Sequence, residues 1–414
     1  MALIVQKYGG TSVADCQRIQ HVVDRVIACR RQGNDVVVVL SAMAGETNRL
    51  IALAKQVQSK PDPRELDVLM ATGEQVTVSL FAMAAKERGM GSTSFLGYQI
   101  PIQTDPAHGK ARILEIPSER LKAVLSAGAI PVVAGFQGVN LDGEITTLGR
   151  GGSDTTAVAV AVAVGANVCE IYTDVEGVFT TDPNICPQAR KIERITYEEM
   201  MEMASLGAKV LEIRSVEFAM LYGMPLHVRS SFSDTTGTHV VKEEKSMEQI
   251  LVSGVTYSRS EARITVTKVP DRPGIAAAIF NPISAANIVV DMIIQNTRAG
   301  DLTDLTFTVP RGDYEQALAI VKGIADEIGA EKVAGDAGIA KVSIVGVGMR
   351  NHAGVASQMF DILARHGINI LMISTSEIKI SCIMEEKYTE LAVRALHEGF
   401  GLDKAPAVLK DRIP

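Results

Sequence analysis

Lys7, followed directly by Tyr8-Gly9-Gly10-Thr11-Ser12, is the first group along the chain with chemistry that suits a phosphate. It stands where a Val/Ile-type run ends and a helical segment begins. Two glycines at such a junction let the backbone approach a ligand with no Cβ in the way. The free N–H groups of a helix N-terminus favour an anion, and Lys7 can lie against the same oxygens. Alone, a Lys-x-Gly-Gly is more often a turn carrying a solvated lysine. A second glycine-rich stretch, TLGRGGSDTT from Thr147 to Thr156, also feeds a helix. Arg150 offers a two-pronged contact to a carboxylate or phosphate. Ser153 and Asp154 add a hydroxyl and a carboxylate, and one of them is expected to cap the helix. Ser41 and Thr47 lie in SAMAGETN, after a valine-rich strand; in open α/β sheets, ligands sit at the carboxyl ends of strands. Glu74 opens a helix, where an acid by itself already suits the helix dipole. Thr173 and Asp174 end a strand before the turn-rich loop DVEGVFTTDPN. There is no GxxxxGK[ST], no HRD or DFG pair and no HExxH, which excludes P-loop, protein-kinase and zincin chemistry.

The elements that must position these groups alternate up to about residue 235. Short Val/Ile-rich runs at Leu3–Gln6, Asp35–Leu40, Ile130–Phe136, Val168–Thr173 and Leu226–Arg229 read as strands. A run such as Val36 to Leu40 is apolar without alternation, as befits a strand covered on both faces. Helical patterns lie between them at Asp15–Gln32, Asn48–Gln58, Val76–Lys86, Ser118–Ala127, Asp154–Val164, Tyr197–Met203 and Ala208–Tyr222. This alternation predicts an α/β domain with a mainly parallel sheet. The polar stretch from Ser233 to Met247 reads as a linker. Beyond it the sequence repeats: Gly274 and Gly354, Ile288 and Ile368, and Met292 and Met372 all lie 80 residues apart. Each copy reads strand, glycine turn, amphipathic helix, strand, then a further strand and helix, the order of a ferredoxin-like module. The strand at Val252–Tyr257 is left unassigned between the two copies.

Composition narrows the functional classes. The 414 residues are 47% hydrophobic and 21% charged, an ordinary globular balance. The net charge of −7 is shared by both halves, so neither a nucleic-acid nor a membrane surface is expected. The longest apolar stretch, Ala157 to Ala166, is too short for a membrane span. Five scattered cysteines without a CxxC fit a reducing compartment, here taken as the cytoplasm, and no metal site is expected from side chains.

Taken in order, KYGGTS, VVLSAMAGETN, Gly73-Glu74, GRGGSDTTA and YTDVEGVFTTDP resemble the aspartate kinases of the amino-acid kinase superfamily. The repeat, with DRPG and NILMISTSEIKIS, is similar to the tandem ACT domains of the same enzymes. The resemblance spans nearly the whole chain and implies a three-layer amino-acid kinase fold over residues 1–245. Two ferredoxin-like βαββαβ ACT domains would follow at 246–335 and 336–414. It implies phosphoryl transfer from MgATP to the β-carboxylate of L-aspartate, the first step towards lysine, threonine and methionine. Such transfer is mostly positioning and charge stabilisation, and the attacking carboxylate needs no base, being ionised at neutral pH.

The resemblance also distributes roles. Lys7 would neutralise charge on the transferring group beside the N–H groups of Gly9 and Gly10, with Asp154 orienting Lys7. Arg150 would clamp the α-carboxylate, Glu74 would take the ammonium, and Ser41, Thr47 and Ser153 would add hydroxyl contacts. Thr173, Asp174, Phe179, Asp182, Asn184 and Lys209 would surround ATP. Asn184 stands where Arg is frequent, which removes a cation and is expected to raise the Michaelis constant for ATP; Phe179 replaces a frequent Tyr. Lysine and/or threonine would bind the ACT pair at Asp271, Gly274, Ile275, Ala276, Asp291 and Gln295. Asn369, Ile370, Ser376 and Glu377 would contribute from the second copy. Partners would be a second copy of the chain or a shorter ACT-containing subunit. The weighed alternatives are another amino-acid kinase, against which the repeat argues, and a non-catalytic sensor, against which the joint retention of Lys7, Glu74, Arg150 and Asp154 argues.

Overall fold

The computed structural model describes residues 2–207, 210–243, 251–298 and 301–404. They divide into two compact units. The first comprises residues 1–179 and 191–248, the second residues 180–190 and 249–414.

The first unit opens with β1 (Leu3–Tyr8), α1 (Cys16–Arg31), β2 (Asp35–Leu40), α2 (Glu46–Val57), α3 (Pro63–Met70) and α4 (Thr72–Glu87). Next come β3 (Ser92–Phe95), β4 (Gln103–Thr104), β5 (Ile113–Glu115), α5 (Glu119–Ser126), β6 (Ile130–Ala134), β7 (Gln137–Val139) and β8 (Ile145–Thr147). It closes with α6 (Gly152–Val164), β9 (Val168–Thr173), β10 (Arg194–Thr196), α7 (Tyr197–Ser205), α8 (Ile213–Tyr222), β11 (Leu226–Ser230) and β12 (Thr238–Val241).

Among the described residues, eight strands form one sheet in the order β10-β12-β11-β9-β1-β2-β6-β3. Every pairing is parallel except β11 with β12. The unbroken apolar run of β2 is explained by its two covered faces. Val36, Val38 and Leu40 join Tyr8, Ile130, Val132, Phe81 of α4 and Val22, Val23 and Val26 of α1 in one core cluster. Val37 and Val39, on the other face, are equally buried. α6 packs against β1 and α8, supplying that second layer; Ala157 to Ala161 of α6 are all buried. Each large side chain withdrawn from water here contributes about 1.5–3 kcal/mol. α3 and α4 together are long and apolar enough to cross a membrane by composition, but are half buried as core helices.

The structure departs from the sequence reading in several places: α3, β3, β10 and β12 lie where no element is expected, and β12 (Thr238–Val241) runs through the stretch read as a linker. A small sheet, β5-β4-β7-β8, crosses residues 103–147; its two- and three-residue strands are too short to show a period of two. α8 begins at Ile213; the expected start, Ala208, lies outside the described residues. Glu212 is extended there (φ −84°, ψ 136°), and Ser215 Oγ donates to its carbonyl.

The second unit contains β13 (Gly254–Ser258), β14 (Glu261–Pro270), α9 (Ile275–Ala285), β15 (Ile293–Arg298), β16 (Leu302–Pro310), α10 (Tyr314–Gly323) and β17 (Lys332–Asp336). Then follow β18 (Ile339–Val345), α11 (Gly354–Arg365), β19 (Met372–Thr375), β20 (Lys379–Glu385) and α12 (Thr389–Gly399). Two four-stranded sheets result, β15-β16-β14-β17 and β13-β18-β20-β19. The first repeat completes its own sheet with β17. The second does not: among the described residues its fourth strand is β13, antiparallel to β18 and drawn from ahead of the first repeat. That pairing assigns the unplaced 252–257 strand and replaces the sixth element expected at the end of the second βαββαβ module. The expected cut at 245/246 lies outside the described residues.

Candidate active site

β1, β2 and β9 run parallel as neighbours, so their carboxyl ends share one edge of the sheet. That edge carries Gly9 and Gly10 after β1, Ser41 after β2 and Thr173 at the end of β9. Gly10 has a steric reason to be glycine: a Cβ there would sit 2.9 Å from the Ala42 carbonyl oxygen. The Gly9 N–H, expected to face a phosphate, donates instead to the Tyr172 carbonyl at 3.3 Å, because the β1–β9 ladder extends one residue past Tyr8. The helix behind the glycines is also differently placed. One 3₁₀ turn (Gly10–Val13) intervenes, and α1 is capped by Asp15, whose side chain accepts from the Arg18 N–H at 2.8 Å.

Beside this edge lies a cavity of about 320 Å³. Of the residues singled out in the sequence, Lys7, Gly10, Ser41, Thr47, Glu74, Arg150, Ser153 and Asp154 line it; Gly9, Thr173, Asp174 and Phe179 do not. Lys7 Nζ lies 2.5 Å from Asp154 Oδ1, and both side chains are nearly withdrawn from water (11% and 12% exposed). The expected cap at Ser153 or Asp154 is absent. Gly151 is the N-cap of α6 in a left-handed conformation (φ 66°), with no side-chain cap bond. A Cβ at Gly151 would meet Glu212 Cβ at 2.3 Å, so glycine is required on both counts. Asp154 is thereby left for Lys7.

Across the cavity Glu74 lies in the first turn of α4, 3% exposed. Its Oε1 accepts from the Ala42 N–H at 3.0 Å, whereas Oε2 is buried with no hydrogen-bond partner among the described residues. Burial pushes its carboxyl up to about 7, against the two backbone N–H bonds that lower it. A buried, half-satisfied carboxyl on a cavity wall is a ready seat for a cation. Arg150 is exposed at the rim. Sequence reasoning missed Phe136 and Glu212. Phe136 lines the cavity with a positive φ of 68° and donates its N–H to Thr156 Oγ1 at 3.1 Å; no residue type in GFQG signals that strain. Burial, then the nearby Asp154 charge, raises the Glu212 carboxyl. Among the described residues, no group of three or more His, Cys, Asp or Glu side chains is placed to hold a metal ion.

Of the nucleotide candidates, Thr173 Oγ1 donates to Asp174 Oδ1 at 3.1 Å, and Phe179 forms an isolated bridge with Lys191. Asp182 and Asn184 belong to the second unit. There Asp182 Oδ1 accepts from the Asn184 N–H (2.9 Å) and Nδ2 (3.0 Å), and Oδ2 accepts from the Tyr257 hydroxyl (2.9 Å). Lys209 lies outside the described residues.

Within the second unit, Gly274 is the left-handed N-cap (φ 94°) of α9, which starts with Ile275 and Ala276. The Asp271 N–H donates to the Asp301 carbonyl at 2.7 Å. Gln295 is exposed on β15, and Asn369 and Ile370 lead into β19. Met292, just before β15, and its match Met372, the first residue of β19, meet in one small core with Ile339 and Ile383. Asp291, expected to face an ammonium, is ion-paired with Lys341, which also meets Glu261 at 3.0 Å. Burial pulls the Lys341 ammonium down, but these two carboxylates outweigh it and hold it above its usual range. The Ser376 N–H donates to the Lys379 carbonyl at 2.8 Å, and Glu377 lies 3.6 Å from Arg350.

The chain matches the amino acid kinase family over residues 2–230 and the ACT domain over residues 263–326 and 342–400. It is 60% identical over 408 residues to an aspartate kinase of Pseudomonas putida, covering 98% of this chain and 99% of that one. Among solved structures it is similar to E. coli aspartokinase III in complex with aspartate and ADP, described as the R-state. That match has 27% identity and a TM-score of 0.78, covering 96% of this chain and 99% of that one. The same enzyme in complex with lysine and aspartate, described as the T-state, matches over the same shares at 26% identity and a TM-score of 0.77.

Proposed function

The chain belongs to the aspartate kinases, and from that premise we propose that the cavity around Lys7 is where the γ-phosphoryl group of ATP passes to the β-carboxylate of L-aspartate. The product is 4-phospho-L-aspartate. The observation that carries this reading is the buried Lys7–Asp154 pair on one wall, with Glu74 and Arg150 lining the same cavity. Asp154 holds the Lys7 ammonium in one place. From there Lys7 meets charge on the transferring phosphoryl oxygens without reorganising. Arg150 takes the α-carboxylate, Glu74 takes the ammonium, and Ser41, Thr47 and Ser153 contribute hydroxyls. Mg²⁺ enters with the nucleotide as MgATP, whose contacts include Thr173, Asp174 and Phe179. The enzyme works in the cytoplasm at the head of lysine, threonine and methionine synthesis. Residues 1–245 are its catalytic domain, and 246–335 and 336–414 its ACT domains.

The Glu74 carboxyl tests the aspartate seat. With a value of about 7 it is largely protonated below neutrality, and only its anion pairs with an ammonium. KM for aspartate therefore rises as pH falls below about 7, approaching roughly tenfold per pH unit. In Glu74→Gln it is high throughout and does not follow pH. A carboxyl raised in the folded state stabilises fully below its ordinary value of 4.5, and that contribution disappears as pH rises through about 7. Glu74→Gln thus gains thermal stability relative to the parent as pH rises over that window. A KM independent of pH between 6 and 8 in the parent enzyme would remove Glu74 from the aspartate seat.

Lysine and threonine are the proposed effectors of the ACT pair, in a homo-oligomer or with a shorter ACT-containing subunit. The two copies offer unequal candidate sites, since Asp291 is ion-paired with the nearly buried Lys341 whereas Glu377 meets the more open Arg350 at 3.6 Å. Inhibition is expected to be concerted, weak with either amino acid alone and strong with the mixture. Titrating each and both against the initial rate checks it, and strong inhibition by lysine alone contradicts it.

A further inference from the structure

Asp67, on α3, is fully buried and is not among the residues that line the cavity, yet its carboxylate is saturated. Oδ1 accepts from Thr147 Oγ1 at 2.5 Å and from the Gly109 N–H at 3.1 Å. Oδ2 accepts from the Thr147 N–H (3.0 Å) and the Gly109 N–H (3.0 Å), with His108 Nδ1 also at 3.0 Å. Thr147 is the last residue of β8, three positions before Arg150. Arg214 grips the next stretch of backbone from α8, donating Nη1 to the Leu148 carbonyl (2.7 Å) and Nη2 to the Ala111 carbonyl (2.9 Å). Gly149 then turns in a left-handed conformation (φ 77°), so close to the 108–111 loop that a Cβ would stand 2.9 Å from the Gly109 carbonyl oxygen.

A loop of three glycines has little stiffness of its own, so the place of Arg150 is set by what holds its two ends. One end is α6. The other is Thr147–Leu148, clamped between the buried carboxylate of Asp67 and the guanidinium of Arg214. We propose that Asp67 is a positioning residue for aspartate recognition: it locks Thr147 and Gly109 together so that the Gly149–Gly152 loop presents Arg150 to the substrate α-carboxylate. The inference rests on the reading of Arg150 given above. A carboxylate is needed because the Gly109 and Thr147 N–H groups can only donate; an amide at the same place turns one acceptor into a donor facing an N–H group.

Asp67→Asn, nearly isosteric, tests this together with Arg150→Gln and the double variant. Asp67→Asn is expected to raise KM for aspartate roughly tenfold, with kcat and KM for ATP within about twofold, since an interaction equal in ground and transition states moves KM alone. In the Arg150→Gln background the same change is expected to add little, because the group it positions is gone. If Arg150→Gln raises KM for aspartate but folded Asp67→Asn does not, the positioning role is wrong and the reading of Arg150 stands. If both raise it and the effects multiply fully, Asp67 does not act through Arg150 and the inference fails. If Arg150→Gln leaves KM unchanged, the reading of Arg150 itself fails. Should Asp67→Asn not fold, Thr147→Val removes only the hydroxyl bond. It is then expected to raise KM for aspartate about threefold, in the parent but not in Arg150→Gln; an unchanged KM overturns the proposal.

Discussion

Lys7→Met lowers kcat by roughly 10²–10³-fold with KM for aspartate little changed. The size follows from losing one preorganised charge, itself nearly withdrawn from water, that is aimed at the transferring group. Its neighbour makes the prediction sharper. Asp154 is only 12% exposed in its side chain, so removing the ammonium 2.5 Å away strands a nearly buried carboxylate. Breaking a buried pair from one side costs about 3–5 kcal/mol. Lys7→Met is therefore less stable as well as inactive, and thermal unfolding shows it. Adding Asp154→Asn removes the stranded charge and returns most of the stability, but none of the rate. That separation is the informative result. If the double variant recovered both, the loss in Lys7→Met would have been a folding defect; if Lys7→Met kept its rate, the assignment of Lys7 would be wrong.

Arg150→Gln is the second large effect, and it falls on binding. A charge-assisted bidentate contact contributes about 1.5–3 kcal/mol, so KM for aspartate rises roughly 10–100-fold. Because Arg150 is exposed at the rim, stability changes by about 0.5 kcal/mol or less. Arg150→Lys keeps the charge without the planar fork and recovers only part of the affinity. The check is a steady-state comparison of the three enzymes at saturating ATP. Equal KM values would move the α-carboxylate to another part of the cavity.

How far the site could be read from the chain depended on what kind of signal each residue leaves. Lys7, Ser41, Glu74 and the GRGGSD loop lie beside strongly patterned strands and helices, and they converge on one cavity because β1 and β2 are adjacent. The valine run of β2 announced a sheet covered on both faces. Positions whose role depends on partners distant in sequence left no trace. Asp67 meets Thr147 across 80 residues, and nothing in PRELDVLM distinguishes it from a surface acid. Capping was misread for the same reason: Asp154 has the residue type of a cap, but Gly151 takes that position and Lys7 takes the carboxylate. Likewise the Gly9 N–H looked available until the β1–β9 register placed the Tyr172 carbonyl opposite it. The tandem repeat was plain at a spacing of 80 residues, yet sheet completion by β13 was not, since a single strand of alternating residues fits either copy.

The measurement that bears most directly on the whole account is a crystal structure of the enzyme with L-aspartate and ADP. The expected pose places aspartate in the cavity of about 320 Å³, with its α-carboxylate on Arg150, its ammonium at Glu74 Oε2 and its β-carboxylate towards Lys7. Aspartate bound with its α-carboxylate against Lys7, or outside this cavity altogether, would contradict it.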